Sequence, residues 1–170
     1  MIINRLYFKE ENYFLRKFKK NDIQKEYISW FKNEKLFKFS RHKKNSYSEK
    51  ELTTFYKKHD SKNSYFLAVV GNKNKILVGT ITIYLKLKTA NIGILIGNKK
   101  FHGKRIGHFA MKKLVNYLLN KTKIKVIHIG TDNKNIPMIK ICKFLNMKIL
   151  KKERIRENTS ITYYINRKMI

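Results

Sequence analysis

The sequence predicts one mixed α/β (α+β) domain over residues 1–170, with a mostly antiparallel central sheet of about seven strands flanked by about four helices. Apolar and polar residues alternate strictly in the middle of the chain, which predicts antiparallel strands with short connections. A strand–helix–strand succession in the second half predicts one parallel pair within that sheet. The sequence has no internal repeat, linker or low-complexity tail, and this favours a single domain.

The opening segment predicts a strand followed by a helix. Residues 5–18 have the composition of a strand that is interrupted by a turn at residues 10–12. Asn21 or Asp22 then offers an N-cap, because a short polar side chain can accept a hydrogen bond from the first helical turn. We therefore expect a helix through residues 23–30.

A second helix and three strands are predicted next. Ser48 and Glu51 have the spacing of a capping box, in which each side chain bonds to the backbone amide of the other, so a helix is expected to begin here. The three strands lie at residues 65–70, 80–88 and 92–96. Alternation in the second strand predicts one apolar face made of Ile81, Ile83, Leu85 and Leu87.

The last third of the chain predicts two helices and three further strands. One helix has a continuous apolar stripe and a polar opposite face; the stripe comprises Ile106, Ala110, Leu114 and Leu118. Pro137 stands near the first turn of the other helix, where its missing N–H has no cost. The remaining elements are a strand at 125–129, that second helix at 136–145, and a closing hairpin of 148–156 with 159–168.

The chain is strongly basic: 40 Lys and Arg against 11 Asp and Glu give a formal net charge of +29. Residues with A+T-rich codons, such as Lys, Asn and Ile, are abundant, while Ala and Pro are scarce, so part of this charge reflects a composition bias on solvated faces. A surface this positive still attracts anionic partners. No nucleic-acid-binding module is recognisable, and we expect no specific nucleic acid as a partner.

Other classes of protein are excluded by simple counts. No stretch approaches the roughly 18 uncharged apolar residues of a membrane span, and the first residues show no apolar core of a secretory signal. The single cysteine, Cys142, excludes an internal disulfide and a zinc site built from cysteines, and no metal is expected. A cytoplasmic protein is the expectation.

A strand followed by a glycine-containing basic loop and a helix start predicts an anion site at residues 92–107. The unpaired amides of the first helical turn and the helix dipole favour negative charge there. Gly103 and Gly107 allow close approach of the backbone, while Lys104 and Arg105 add positive charge. The alternative is that the two glycines serve only the turn. The Gly-Lys-Ser/Thr ending of the P-loop is absent.

With these motifs in order, the whole chain resembles the GNAT superfamily of acyl-CoA-dependent N-acetyltransferases, and most of all its RimJ/RimL-like branch. The pyrophosphate loop of that family, Gln/Arg-x-x-Gly-x-Gly/Ala, falls on residues 102–107: Gly107 matches, His102 takes the first position, and Arg105 stands where a glycine is usual. The resemblance implies acetyl-CoA as co-substrate. The cofactor-binding residues it implies are Leu95, Ile96, His102, Gly103, Lys104, Arg105, Ile106, Gly107 and Asn135.

Two further segments carry the resemblance. In the stretch 132–147, Asn135 matches an Asn that commonly contacts CoA, and Leu145-Asn146-Met147 replaces the family's Leu-Gly-Phe. Asn is the next-best residue for the left-handed conformation that ends a helix, so the replacement conserves backbone conformation. The opening Phe14-Leu15-Arg16, followed by Asn21-Asp22-Ile23, is the other match.

The residues at the positions of the family's usual acid and base differ in this chain. Many relatives carry a Glu on the strand where this chain has Asn91, which cannot accept a proton. His128, His102 and Asp132 remain as candidate bases, and His128 has an alternative role in an interior hydrogen bond. Cys142 stands at the position of a Tyr that protonates the leaving thiolate in relatives. It is a candidate catalytic residue, although a buried cysteine usually serves packing.

The acceptor site is expected at residues 30–47, a stretch that resembles acetyltransferases of surface-glycan biosynthesis. Aromatic rings can stack on bases or sugars, and an arginine can bind phosphate through two hydrogen bonds. The alternative is an ordinary amphipathic loop packed on the sheet. The expected substrate-binding residues are Trp30, Phe39, Arg41, His42 and Asn91.

The resulting hypothesis is an acetyl-CoA-dependent N-acetyltransferase that acts on the amine of a small acceptor, first of all a nucleotide-linked amino sugar. Two alternatives remain. One is acetylation of a protein N-terminus, as the RimJ/RimL resemblance allows. The other is a catalytically decayed CoA-fold module that binds a partner. The acceptor, the acyl length and the oligomeric state, with a homodimer as one option, are left open.

Overall fold

The computed structural model describes residues 5–39, 47–59, 61–155 and 158–170. Its strands are β1 (Leu6–Phe8), β2 (Tyr13–Lys17), β3 (Ser64–Gly71), β4 (Leu77–Lys86), β5 (Thr89–Leu95), β6 (Val126–Asp132), β7 (Lys148–Ile155) and β8 (Asn158–Asn166). Its α-helices are α1 (Lys25–Trp30), α2 (Glu34–Phe37), α3 (Glu49–His59), α4 (Ile106–Lys121) and α5 (Ile136–Phe144). Short 3₁₀ segments lie at Lys20–Asp22, Lys99–Phe101 and Arg167–Met169.

The eight strands form one sheet in the order β1-β2-β3-β4-β5-β6-β8-β7. Every neighbouring pair is antiparallel except β5 and β6, which are parallel as the strand–helix–strand pattern predicts. The structure thus has eight strands where the sequence predicts about seven, and the additional strand comes from the opening segment. Residues 10–12 fold the opening segment back on itself, so that Leu6 of β1 pairs with Leu15 of β2. The mixed, mostly antiparallel class is confirmed.

Helices cover the sheet on both sides, and each side has its own hydrophobic core. We call the side that carries α4 and α5 the α4 face, and the side that carries α1 and α3 the α3 face. Ile106, Ala110, Leu114 and Leu118 of α4 are at most 1% exposed, so the predicted apolar stripe is confirmed. None of the helices in the described part of the chain is long and apolar enough to cross a membrane.

The two predicted helix starts have different outcomes. Ser48 and Glu51 form the predicted capping box: the Ser48 amide donates to Glu51 Oε2 at 2.8 Å, and the Glu51 amide donates to Ser48 Oγ at 3.2 Å. The predicted cap at Asn21 or Asp22 is wrong, because α1 begins later, after Gln24. Asp22 instead accepts two charge-assisted hydrogen bonds of 2.6 Å from Arg16 and one of 2.7 Å from the Lys19 amide, which hold its carboxylate at the 3₁₀ turn before α1.

The alternation predicted for residues 80–88 fails at its end. Ile81 and Ile83 are fully buried, but Leu87 is 95% exposed. Its φ of 55° is left-handed, because Leu87 lies in the tight turn between β4 and β5. A periodic pattern does not show where a strand stops, and the turn reverses the chain before the pattern ends.

Candidate active site

The parallel strands β5 and β6 pair for only three residues each and then separate. The register joins Thr89 with Val126, Ala90 with Ile127 and Asn91 with His128. Beyond that point β5 continues along β4 as far as Leu95, and β6 continues along β8 as far as Asp132. Between residues 92–95 and 129–132 the sheet therefore has an opening, which we call the interstrand gap. Backbone groups along both of its edges lack the ladder partner that a continuous sheet provides.

On the α4 face, the first turn of α4 packs closely against the gap. A Cβ added to Gly107 would lie 3.3 Å from Ile141 of α5, 3.6 Å from Ile96 and 3.8 Å from Ile94 of β5. The first of these distances is tighter than ordinary van der Waals contact. Gly107 thus lets the helix approach β5 and α5 closely, which brings the start of α4 to the edge of the gap.

Arg105 occupies the loop position where the family pattern has a glycine. Its backbone is left-handed, with φ 58° and ψ 18°, and Gly103 also has a positive φ of 74°. Arg105 therefore adopts the left-handed conformation that glycine usually adopts. The Arg105 guanidinium lies 5.8 Å from the ring centre of Phe109 and 5.4 Å from that of Phe144, so its side chain rests on rings of α4 and α5.

The loop before α4 is held from two sides. His102 Nε2 donates to the Ile96 carbonyl at 2.7 Å, and Lys9 Nζ donates to the Lys104 carbonyl at 3.2 Å. Among the residues that the structure describes, no side-chain acceptor caps the first amides of the 16-residue helix α4. Uncapped amides, the helix dipole and several cations together favour an anion at this point.

Two side chains predicted as site residues build the turn that leads into α5. Asn135 is the N-cap of α5, and its Oδ1 accepts from the Met138 amide at 3.3 Å. The Asp132 carboxylate accepts from the Lys134 amide at 2.8 Å. Because this hydrogen bond engages the Asp132 carboxylate in the turn, His128 is favoured over Asp132 as the candidate base.

His128 and Asn91 form the last pair before the strands separate. Their neighbours Ile127, Ile129, Ala90 and Ile92 belong to the core of the α4 face, so alternation places both side chains on the α3 face. Adjacent strands lie about 4.8 Å apart, which puts the two residues side by side at the closed end of the gap. Burial lowers the pKa of the His128 imidazole, and this favours the neutral form that can accept a proton.

Cys142 lies in the core of the α4 face and is fully buried. Burial raises the pKa of its thiol to about 12. A thiol with such a pKa stays protonated at neutral pH and is a poor nucleophile and a weak acid. The packing role that the sequence analysis weighed against catalysis is the one that this position favours.

A pocket of about 280 Å³ lies beyond the end of β5, between helices α1 and α2 and the segment 97–100. Trp30 forms its wall: it is 4% exposed, and a Cβ on Gly97 would lie only 2.0 Å from its ring. Packing on Gly97 means that Trp30 is not the open stacking surface that the sequence analysis expected. Phe39 is half-buried, and Arg41 and His42 lie outside the described residues.

Glu26 reaches the same pocket from α1 and is held by Asn98. Asn98 is 6% exposed; its Nδ2 donates to Glu26 Oε1 at 2.6 Å, and its Oδ1 accepts from the Lys100 amide at 3.1 Å. Neither residue could be predicted from the sequence as part of a site, because no spacing links positions 26 and 98. Within the described ranges, Glu26 has no cationic partner although the chain carries 40 Lys and Arg.

No metal site accompanies these residues in the part of the chain that the structure describes, since no three His, Cys, Asp or Glu side chains lie close enough to hold an ion. The polar groups around the gap include backbone amides, His128, Asn91, the hydroxyl of Thr131 and, farther out, Glu26 with its lysine neighbours. This set can bind an anion on the α4 face and an amine on the α3 face.

The chain is similar to known proteins in sequence and in fold. Residues 12–148 match the family of the acetyltransferase (GNAT) domain. No curated protein matches the sequence significantly. A GNAT-family acetyltransferase from Bacillus anthracis shares 20% identity, with 94% of this chain and 98% of that chain covered and a TM-score of 0.79.

Two solved structures of acetyltransferases with coenzyme A show the same fold. Spermidine N-acetyltransferase from Vibrio cholerae, in complex with CoA and spermine, has a TM-score of 0.80 at 15% identity, with 93% of this chain and 97% of that chain covered. RimL, a ribosomal L7/L12 alpha-N-protein acetyltransferase in complex with CoA, has a TM-score of 0.83 at 11% identity, with 96% and 98% covered. At sequence identities this low, the similarity shows only that these proteins share a fold.

Proposed function

Because the chain belongs to the GNAT family of acetyltransferases, we propose that it transfers the acetyl group of acetyl-CoA to the amine of a small acceptor. Members of this family use acetyl-CoA. The observation that supports the proposal is the interstrand gap, which lies between an uncapped helix start on the α4 face and a histidine with a lowered pKa on the α3 face. A thioester that enters from one face meets an amine that enters from the other.

The cofactor side is proposed to bind CoA mainly through backbone. The first amides of α4 and the loop from His102 to Gly107 suit the pyrophosphate, because they are uncapped and surrounded by cations. Leu95 ends β5, Ile96 follows it and Asn135 lies at the start of α5; we assign these residues to the pantetheine arm.

The chemistry needs a neutral amine and a stabilised oxyanion. His128 is the proposed general base, because it stands at the closed end of the gap with a lowered pKa. Asn91 beside it can orient a water or the amine but cannot take the proton. Backbone amides of β5 that the gap frees from the ladder are the proposed oxyanion donors.

The acceptor is proposed to carry both an amine and an anionic group, and a nucleotide-linked amino sugar has this chemistry. The pocket beside Trp30 offers the Glu26 carboxylate to hydroxyl groups of the sugar, and Lys99 and Lys100 to phosphate, while the amine is left to His128. A polycation such as spermidine, the substrate named for one similar structure, would be repelled by a net charge of +29. Arg41, outside the described residues, keeps its proposed role as a phosphate ligand.

A second candidate function is acetylation of a protein N-terminus. The fold it shares with RimL, which acts on ribosomal L7/L12, supports it, and a basic surface also suits an acidic peptide. A peptide N-terminus lacks the sugar hydroxyls that Glu26 could bind beside the lysines, which is why the sugar nucleotide comes first.

Release of the CoA thiol from acetyl-CoA tests the proposal. A panel of amino-sugar nucleotides, the free amino sugars and acidic peptides is compared, after calorimetry with acetyl-CoA alone. We expect acetyl-CoA to bind, and turnover to be most efficient with an amino-sugar nucleotide and to fall when the diphosphate is absent. Turnover of peptides alone would replace the acceptor by a protein N-terminus. Failure to bind acetyl-CoA would overturn the acetyltransferase proposal.

A further inference from the structure

Two buried hydroxyls have no hydrogen-bond partner among the described residues, Thr131 Oγ1 and Ser64 Oγ. Each residue is 8% exposed. A buried hydroxyl without a partner has given up its bonds to water and destabilises the fold, so such a group calls for an explanation. The two hydroxyls differ in their position on the sheet.

Thr131 borders the interstrand gap. It lies on β6, three residues beyond His128, which is the last residue of β6 that pairs with β5. On the edge of β6 that faces away from the gap, the backbone of Thr131 pairs with Ile161 of β8. Ile127 and Ile129 belong to the core of the α4 face, and alternation puts the Thr131 side chain on that same face. The hydroxyl therefore stands on the side from which CoA would enter.

The surroundings of the gap on this face are apolar. Ile94 of β5 stands across the gap from Thr131, since each lies three residues beyond the pair Asn91 and His128. At the start of α4, Gly107 packs against Ile94, Ile96 and Ile141. An apolar lining suits the methylene groups of a pantetheine arm, while its amides and the thioester need polar partners. A single hydroxyl in such a lining can fix the position of an otherwise flexible arm.

We propose that the Thr131 hydroxyl hydrogen-bonds the acylated end of the pantetheine arm of acetyl-CoA. It accepts from an amide N–H or donates to a carbonyl of that arm, and so receives the partner that it lacks. This inference rests on the proposed function, because it assumes that the gap holds the arm. Ser64 supplies the contrast, since it lies on β3 opposite Tyr84 of β4 and is separated from the gap by β4 and β5.

The test is calorimetric titration of acetyl-CoA into Thr131→Val, a nearly isosteric change that removes only the hydroxyl. Loss of one neutral hydrogen bond is expected to weaken binding about fivefold. Thr131→Ser keeps the hydroxyl and is expected to bind within about twofold of the original protein. Ser64→Ala, the matched control, removes the other unpartnered hydroxyl and is expected to leave acetyl-CoA affinity unchanged.

The melting temperature of the ligand-free protein separates this proposal from a buried water. If the ligand is the missing partner, Thr131→Val leaves the melting temperature unchanged or raises it. Unchanged acetyl-CoA affinity in a folded Thr131→Val would overturn the proposal, and a lowered melting temperature with unchanged affinity would assign the hydroxyl to a water. Should Thr131→Val not fold, Thr131→Ala takes its place in the same titration. An original protein that does not bind acetyl-CoA would refute the proposed function itself.

Discussion

The two faces of the interstrand gap are built in different ways. On the α4 face the site is mainly backbone: uncapped amides of α4, a left-handed loop and the close approach at Gly107. On the α3 face it consists of side chains from distant parts of the chain, with Glu26 from α1 and His128 from β6. A site made of backbone depends on conformation, whereas a site made of side chains depends on which residues converge.

This difference explains why the loop tolerates a departure from the family pattern. Arg105 keeps the left-handed conformation of the glycine it replaces, so the amides keep their direction although the residue type has changed. On the α3 face no such tolerance exists, because Asn91 cannot do the chemistry of the Glu that many relatives carry there. Variants on the acceptor side should therefore change activity far more than variants in the loop.

The largest effect is expected at His128. His128→Ala removes the proposed base and should lower the acylation rate constant kcat by about 10²–10⁴-fold, the usual cost of losing a general base. His102→Ala is the comparison, since that ring bonds to the Ile96 carbonyl in the cofactor loop and should affect acetyl-CoA affinity more than kcat. Steady-state rates of thiol release measure both. A His128→Ala rate equal to the original would place the base elsewhere.

The pH dependence of kcat/KM follows from the same residue. Burial lowers the pKa of His128 below its ordinary value of 6.5, so the neutral, basic form persists to lower pH. Activity should therefore be retained at pH 7 and fall as the pH drops through a value below 6.5. That acidic limb should be absent from the residual activity of His128→Ala. A limb that survives in the variant would belong to the substrate or to another group.

An intermediate effect is expected at Glu26. Glu26→Gln keeps an oxygen for the Asn98 amide but removes the charge, so the pocket retains its shape and loses the charged acceptor for a sugar hydroxyl. The KM for an amino-sugar nucleotide should rise about tenfold, as for one charge-assisted hydrogen bond, while acetyl-CoA affinity stays unchanged. Glu34→Gln on the neighbouring helix α2 is the control, with no expected effect. An equal rise in both variants would mean that only overall charge matters.

The smallest effect is expected at Arg105. Arg105→Gly suits the left-handed backbone, so the free energy of unfolding should change by no more than about 1 kcal/mol. Acetyl-CoA affinity should fall only a few-fold, and the difference should shrink at high salt because the lost contribution is a screened charge. Lys113→Gln, which removes a charge from the exposed side of α4, is the control. A large loss of affinity that persists at high salt would show that Arg105 binds phosphate directly.

Several features could be predicted from the sequence because they depend on local physics. The period of 3.6 residues predicts α4, and the Ser48–Glu51 spacing predicts the start of α3. The strand–loop–helix succession predicts an anion site, which stays a prediction. One error is also local: the side chains of Asn21 and Asp22 are typical of a helix cap, but their type does not show that Arg16 binds the Asp22 carboxylate.

Local patterns in the sequence predict the fold class, most of the helices and strands and the glycine-bearing loop, since periodicity and turn chemistry act over a few residues. The tertiary structure sets the rest: it divides the opening segment into β1 and β2, adds the short helix α2, separates β5 from β6 after Asn91 and His128, and lets Asn98 hold Glu26. It also decided that Thr131 is buried without a partner at the edge of that opening. These are contacts between residues that lie far apart in the chain, and their positions follow from how strands and helices pack, which no local spacing records.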